Sequence, residues 1–185
     1  MNIMPFDELN TVKDEIPNYF ENGKMKQGRE IDSLLDMLED FFLLSYAQGA
    51  TITGESLDYT GSLPSSTDAF KTIDKEIQGK TWRQRVRDYQ RDGGTIDDIV
   101  RIAETEMHRD ANAGAYDVAR MAGATVKVWH TMEDDRVRDT HFYLDGVSSP
   151  IDGYFYSYAG GMTQYPGEWG IPEEDCNCRC WLTFA

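Results

Sequence analysis

Three cysteines stand at a spacing of two near the end of the sequence, Cys176, Cys178 and Cys180. Thiols this close in sequence do not bridge one another without strain, and no cysteine elsewhere pairs with them, so reduced thiols are expected. On a β-strand, where side chains alternate with period two, all three fall on one face. Such a cluster either ligates zinc or fills a small apolar slot. A second group of chemical residues runs from Trp129 through Asp135 and Arg138 to His141, followed by Leu144, Asp145 and Gly146. Acidic, basic and imidazole groups crowd a strand and turn there, the composition of a general base or metal ligand and equally of a salt-bridged turn. Glu104, His108 and Asn112 form a third group at i, i+4 and i+8, with Thr105 beside them. Two ligands at i, i+4 can bind a metal, but the second histidine of H-E-x-x-H is missing, and a hydrogen-bonded helix-packing network is expected instead. The sequence has no Ser-His-Asp order, nucleophile elbow, phosphate loop or dinucleotide fingerprint. A small metal-dependent hydrolase using His141, Asp135 and the cysteines is the catalytic alternative that these residues leave open.

The elements that must position these groups follow from periodicity. Residues 1–30 carry Pro5, Pro17, Gly23 and Gly28 and little periodicity, which predicts a loosely structured arm with a short helix over 6–16. Ile31, Leu34, Leu35, Leu38, Phe41, Phe42 and Leu44 predict an amphipathic helix over 30–48, with Gly49 as its C-cap. Residues 50–67, rich in Ser, Thr and Gly, read as a linker, which sets a boundary between an arm-plus-helix segment, 1–62, and a second segment, 63–185. Helices are expected over 68–78, 81–92 and 95–122, the last capped by Thr95 with acidic residues in its first turn. After Gly123 the alternating Thr125-Val-Lys-Val-Trp-His-Thr131 leads a strand-rich remainder with no helix-length segment for a crossover, so antiparallel pairing is expected. The fold class is α+β: a helical N-terminal two-thirds with a small antiparallel β-rich C-terminal module. Trp82, Trp129 and Phe155 are expected in the core. Residues 177–182 are expected to fold back as a strand against the segment 129–141, with a partly buried Arg179 paired bidentately to Asp134, Asp135, Asp139 or Asp145.

Charge narrows the function. The 18 basic and 33 acidic residues give a net charge of −15, which disfavours general affinity for nucleic acid or anionic membrane. The longest apolar run, Phe41-Phe42-Leu43-Leu44, is far shorter than a membrane span, and no secretory signal is expected at the N-terminus. One basic face stands out, Arg83, Arg87 and Arg91 at i, i+4 and i+8. It is expected to pair with the protein's own carboxylates; weak DNA contact is the second use for it.

The succession Gly79-Lys-Thr-Trp-Arg-Gln-Arg-Val86, Ile102-Ala-Glu-Thr-Glu-Met-His-Arg-Asp-Ala-Asn112, Trp129, Asp135-Arg-Val-Arg-Asp-Thr-His141, Leu144-Asp-Gly146 and the closing Asn177-Cys-Arg-Cys-Trp-Leu182 resembles phage minor head proteins of the Mu F-like head morphogenesis type. The resemblance covers about residues 79–183. Its motif residues here are Trp82, Glu106, His108, Trp129, Asp135, Arg138, His141, Gly146 and Arg179. What it implies is a structural virion component, not an enzyme, made in the host cytoplasm, retained in or near the head vertex, and bound to portal or capsid protein. No cofactor is implied, and the candidate metal ligands are His141, Cys176, Cys178 and Cys180.

Overall fold

The computed structural model describes residues 6–185. Helix α1 (Phe6–Glu15) runs into a 3-10 turn (Ile16–Tyr19) and a hairpin of β1 (Phe20–Glu21) and β2 (Lys24–Met25). Then come α2 (Arg29–Ser56), α3 (Ser66–Ile73), α4 (Trp82–Asp92) and α5 (Ile96–Met121). The C-terminal module holds β3 (Val126–His130), the helical turn α6 (Asp139–Phe142), β4 (Ser148–Pro150), β5 (Phe155–Tyr156), β6 (Met162–Thr163), the turn α7 (Pro172–Asp175) and β7 (Trp181–Phe184). Helices thus dominate the first two-thirds and antiparallel strands the remainder.

Local chemistry explains the helix starts. Ser65, Thr81 and Thr95 each accept from the third residue of the helix, and Asp68, Gln84 and Asp98 return the bond to the cap. These reciprocal pairs satisfy two otherwise unpaired N–H groups at each start. Helix α3 begins two residues before the expected 68 and stops at Ile73, because Ile77 turns back to form a bridge with Lys80.

Gly49 does not end α2. The helix continues seven residues beyond it, over part of the expected linker, because Gly49 lies where α2 crosses α5. A β-carbon there would stand 1.9 Å from the Ala111 carbonyl oxygen, and one on Gly114 would stand 2.0 Å from that of Tyr46. The glycines let the two backbones meet, and Tyr46 Oη, donating to Asp117 at 2.6 Å, locks the crossing at its side.

The N-terminal arm is not loose over the described residues: Leu9, Val12, Ile16 and Met25 are buried in the same core as Leu34, Leu38, Phe42, Trp82 and Met107. That core extends into the C-terminal module through Trp129, Phe155, Trp169 and Leu182. Trp82 and Trp129 are fully buried and Phe155 nearly so, with Phe42 edge-on to Trp82 at 4.9 Å.

Strand β3 is the centre of an antiparallel sheet of order β4-β3-β7, with Trp129 opposite Leu182 and His130 opposite Trp181. The closing strand therefore does return to β3, but it starts at Trp181, not at 177: Asn177 takes a left-handed backbone (φ 57) that interrupts extended structure. Within β3 the fully buried side chains are Lys127 and Trp129, not the valines. The Lys127 ammonium donates to the Gly153 carbonyl at 2.8 Å and lies 4.8 Å from the Tyr116 ring; burial pulls its pKa down to about 8.

Candidate functional site

Polar groups with chemical potential gather where α5 meets the C-terminal module. The middle of α5 buries Glu106, His108, Arg109, Asp110 and Asn112, each at most 3% exposed. Arg109 donates through Nη2 to the Thr72 carbonyl (3.0 Å), and the same nitrogen lies 2.6 Å from Glu106 Oε2. It thus ties α5 to the end of α3, at a carbonyl that also accepts from the Lys75 N–H at 3.1 Å. Arg85, from α4, reaches the same Glu106, so one carboxylate joins two helices. Asp110 is buried beside them, and burial pushes its pKa to about 8 even with Arg109 opposing the shift. Gly167 rides directly over Arg109, where a β-carbon would come within 2.9 Å of the Arg109 Cα. A cavity of about 310 Å³ opens at this junction, lined among others by Arg85, Tyr89, Glu106, Arg109, Asp175 and Cys176.

The stripe read from the sequence divides. Glu104 lies toward solvent and pairs with Lys13 at 2.5 Å, while His108 and Asn112 are buried together, 3.2 Å apart. Asn112 Nδ2 also donates to the Cys180 carbonyl at 3.3 Å, and His108 hydrogen-bonds Cys178. These two α5 residues therefore form the floor under the cysteine segment.

His141, on α6, supplies the other wall. Its Nδ1 lies 3.6 Å from Cys178 Sγ and 3.5 Å from Cys180 Sγ, and all three residues are buried. Nε2 lies 2.8 Å from Glu174 Oε2, off the line of the ring N–H. Glu174, 1% exposed, accepts from Ser157 (2.6 Å) and Thr140 (2.8 Å). Burial alone raises its pKa, but these two bonds and the neighbouring His141 and Arg138 outweigh it and hold the carboxyl below its ordinary value. The imidazole packs between Trp129, edge-on at 5.7 Å, and Trp169, stacked at 5.7 Å. Between the thiols, a shared hydrogen bond pushes Cys178 to about 11 with the help of burial, and lowers Cys180 against the opposing effect of burial.

Cys176 is not part of this set. Its segment turns at α7 and Asn177, so the period-two reading fails, and Cys176 lines the cavity beside Arg109. Asp135 is exposed and outside the buried group; Asp134, beside it, takes Arg179 bidentately at 2.8 and 2.5 Å. That pair holds Asp134 down to about 2. Arg138 donates to the carbonyls of Glu174 and Cys176, tying α6 to α7, and Gly146 donates its N–H to the Trp129 carbonyl at 2.9 Å. The basic face of α4 is paired along its length: Arg83 with Glu39, Arg87 with Asp32, and Arg91 with Asp88 and Asp92. Sequence reasoning missed Glu174, Asp175, Arg109 and Lys127, whose letters carry no periodic or motif signal of burial.

The family model described as Phage Mu protein F like protein matches residues 70–183. Minor head protein GP7 of Bacillus phage SPP1 is 39% identical over 86 residues, 45% of this chain and 28% of that protein. NAD(+)-arginine ADP-ribosyltransferase EFV of Enterococcus faecalis is 34% identical over 85 residues, 44% of this chain and 17% of the transferase. The chain thus spans under a third of the length of these curated relatives. No solved structure matches it.

Proposed function

Because the chain belongs to the Phage Mu protein F like family, we propose that it is a structural minor head protein of a tailed phage, without enzymatic activity, that assists head assembly at or near the portal vertex. The observation that carries this reading is the family match over 70–183, the stretch whose polar residues engage one another inside the protein. Arg138 and Arg109 donate to backbone carbonyls, Glu106 pairs with Arg85 and Arg109, and Glu174 accepts from Ser157 and Thr140, so these charged groups tie segments of the chain together as a scaffold requires. The similarity to the transferase touches a small share of that protein and supplies no argument for transfer chemistry.

The partner is portal or capsid protein of the same phage, and the product is a virion head assembled in the host cytoplasm. A net charge of −15 keeps the body away from packaged DNA. The α4 face, with each arginine already paired, adds at most a weak contact whose logarithmic salt slope is no steeper than about −3. No described helix is long and apolar enough to cross a membrane, and the reading needs no membrane.

The test is cosedimentation of the full chain with the cognate portal, joined to a protein census of purified proheads and mature heads. Comigration with the portal and presence in either particle are expected. Absence from both particles overturns the proposal.

A further inference from the structure

We infer that His141, Cys178 and Cys180 form a zinc site that staples the turn α6 to the segment leading into β7. Tetrahedral zinc, at about 2.3 Å from sulfur and about 2.1 Å from nitrogen, sets a nitrogen and a sulfur ligand about 3.6 Å apart. The observed separations from His141 Nδ1 are 3.6 and 3.5 Å. Two sulfur ligands on such an ion stand about 3.8 Å apart, and the three donor atoms here lie within 4.8 Å of one another. A single imidazole nitrogen thus faces both sulfurs at ligand-to-ligand distance.

The surroundings suit a metal as well as the donors do. Thiolate and imidazole are the donors zinc prefers over harder cations. A carboxylate beside the far nitrogen of a ligating histidine is the usual outer partner, since it orients the ring and raises its basicity. Glu174 stands there, itself fixed by Ser157 and Thr140. Trp129 and Trp169 leave the ring little freedom to turn away. A cavity of about 10 Å³, bounded by His141, Cys178, Cys180 and Arg138, opens on the cluster. That is about the space one water needs, and it supplies the fourth coordination position.

The consequence is a clamp across 37 to 39 residues, in a module whose strands are too short to close themselves. Cys176 takes no part, which separates this site from a simple count of thiols.

Elemental analysis of the full chain, grown in zinc-supplemented medium and freed of any tag, is expected to give about one zinc per chain. Cys176→Ser retains it, and the double variant Cys178→Ser, Cys180→Ser falls at least tenfold. Because that variant can also lose metal by unfolding, a second arm uses the unaltered sequence. The chelator-stripped, refolded chain is titrated with cobalt(II), and thiolate-to-cobalt charge-transfer absorption should rise to one equivalent and be erased by zinc. A folded chain that carries no zinc and shows no such absorption, or a double variant that keeps its metal, overturns the site.

Discussion

The two halves of this protein are held together by different means. In the helical half, α2 and α5 meet backbone to backbone at Gly49 and Gly114 within a largely apolar core, with the Tyr46–Asp117 hydrogen bond at the side of the crossing. In the C-terminal module the longest strand has five residues, and two of its strands have only two. Long helices satisfy their own N–H and C=O groups, so how they pack is decided mainly by the fit of their side chains. Short strands joined by loops leave backbone groups that charged side chains must satisfy. Here Arg138 serves the carbonyls of Glu174 and Cys176, Asp175 accepts from the N–H groups of Trp169 and Gly170, and Asp145 accepts from that of Thr131. The charged side chains of the module thus do for its loops what the helical ladder does for α2 and α5, and the halves should fail under different substitutions.

Gly114→Val attacks the crossing. A side chain placed 2.0 Å from the Tyr46 carbonyl forces α2 and α5 apart, and a loss of about 3 kcal/mol or more is expected, since a backbone cannot give way as a flexible side chain does. Urea unfolding followed by far-ultraviolet circular dichroism would read it, and an unchanged midpoint would mean that the helices can slide. Arg138→Ala attacks the module, where two carbonyls lose a charged donor. About 2 to 3 kcal/mol is expected, with the near-ultraviolet signal of Trp129 and Trp169 lost before helicity. Coincident loss of both signals would show that the two halves unfold as one.

Arg179→Ala should do less, about 1 kcal/mol. Its bidentate pair is well aligned, but Asp134 is 38% exposed and stays solvated when left alone. The larger penalty of a fully buried pair does not apply. High salt should remove most of the difference between the variant and the parent, and a salt-insensitive loss would place the pair in a drier setting than its exposure implies.

What could be read from the residues alone, and what could not, follows the same division. The caps Thr81 and Thr95 are local facts, written in residue type and spacing; the burial of Trp82, Trp129 and Phe155 follows from residue type and periodicity; the Arg179 pairing, 45 residues long, follows from the acidic run at 134–145 once the closing strand returns to β3. Gly49 reads as a C-cap in the sequence and is instead a close helix crossing, a role that calls for the same residue and that only the position of α5 reveals. For the candidate site, the kinship of His141 with the cysteines was visible, whereas the exclusion of Cys176 depends on the left-handed turn at Asn177. Glu106, Arg109 and Glu174 look like surface residues in sequence. Their burial depends on partners from distant segments, which no window of neighbours contains.

Lys127 joins the two halves and yields the smallest effect at neutral pH but the sharpest signature. It lies on the central strand of the module, yet its ammonium sits against Tyr116 of α5 and the Phe155 ring, with the Gly153 carbonyl as its acceptor. Alternation in β3 would turn it to solvent with the valines inside, but Trp129 takes the inward face and Lys127 must follow. Burial lowers its pKa from 10.5 to about 8. Between those values the unfolded chain binds more protons at this residue than the folded one, so its contribution makes stability rise with pH across about 8 to 10.5. Lys127→Met keeps the length of the side chain and removes the titration. At pH 7 it should change stability by no more than about 1 kcal/mol, since the lost bond to Gly153 offsets the relieved desolvation. The difference between parent and variant, measured by urea unfolding at successive pH values, should then move in favour of the parent from pH 8 upward. All other titrating groups cancel in that difference. Parallel curves would mean that the ammonium reaches water through the junction, and that α5 and the module are less tightly closed around it than the side chains of Tyr116 and Phe155 imply.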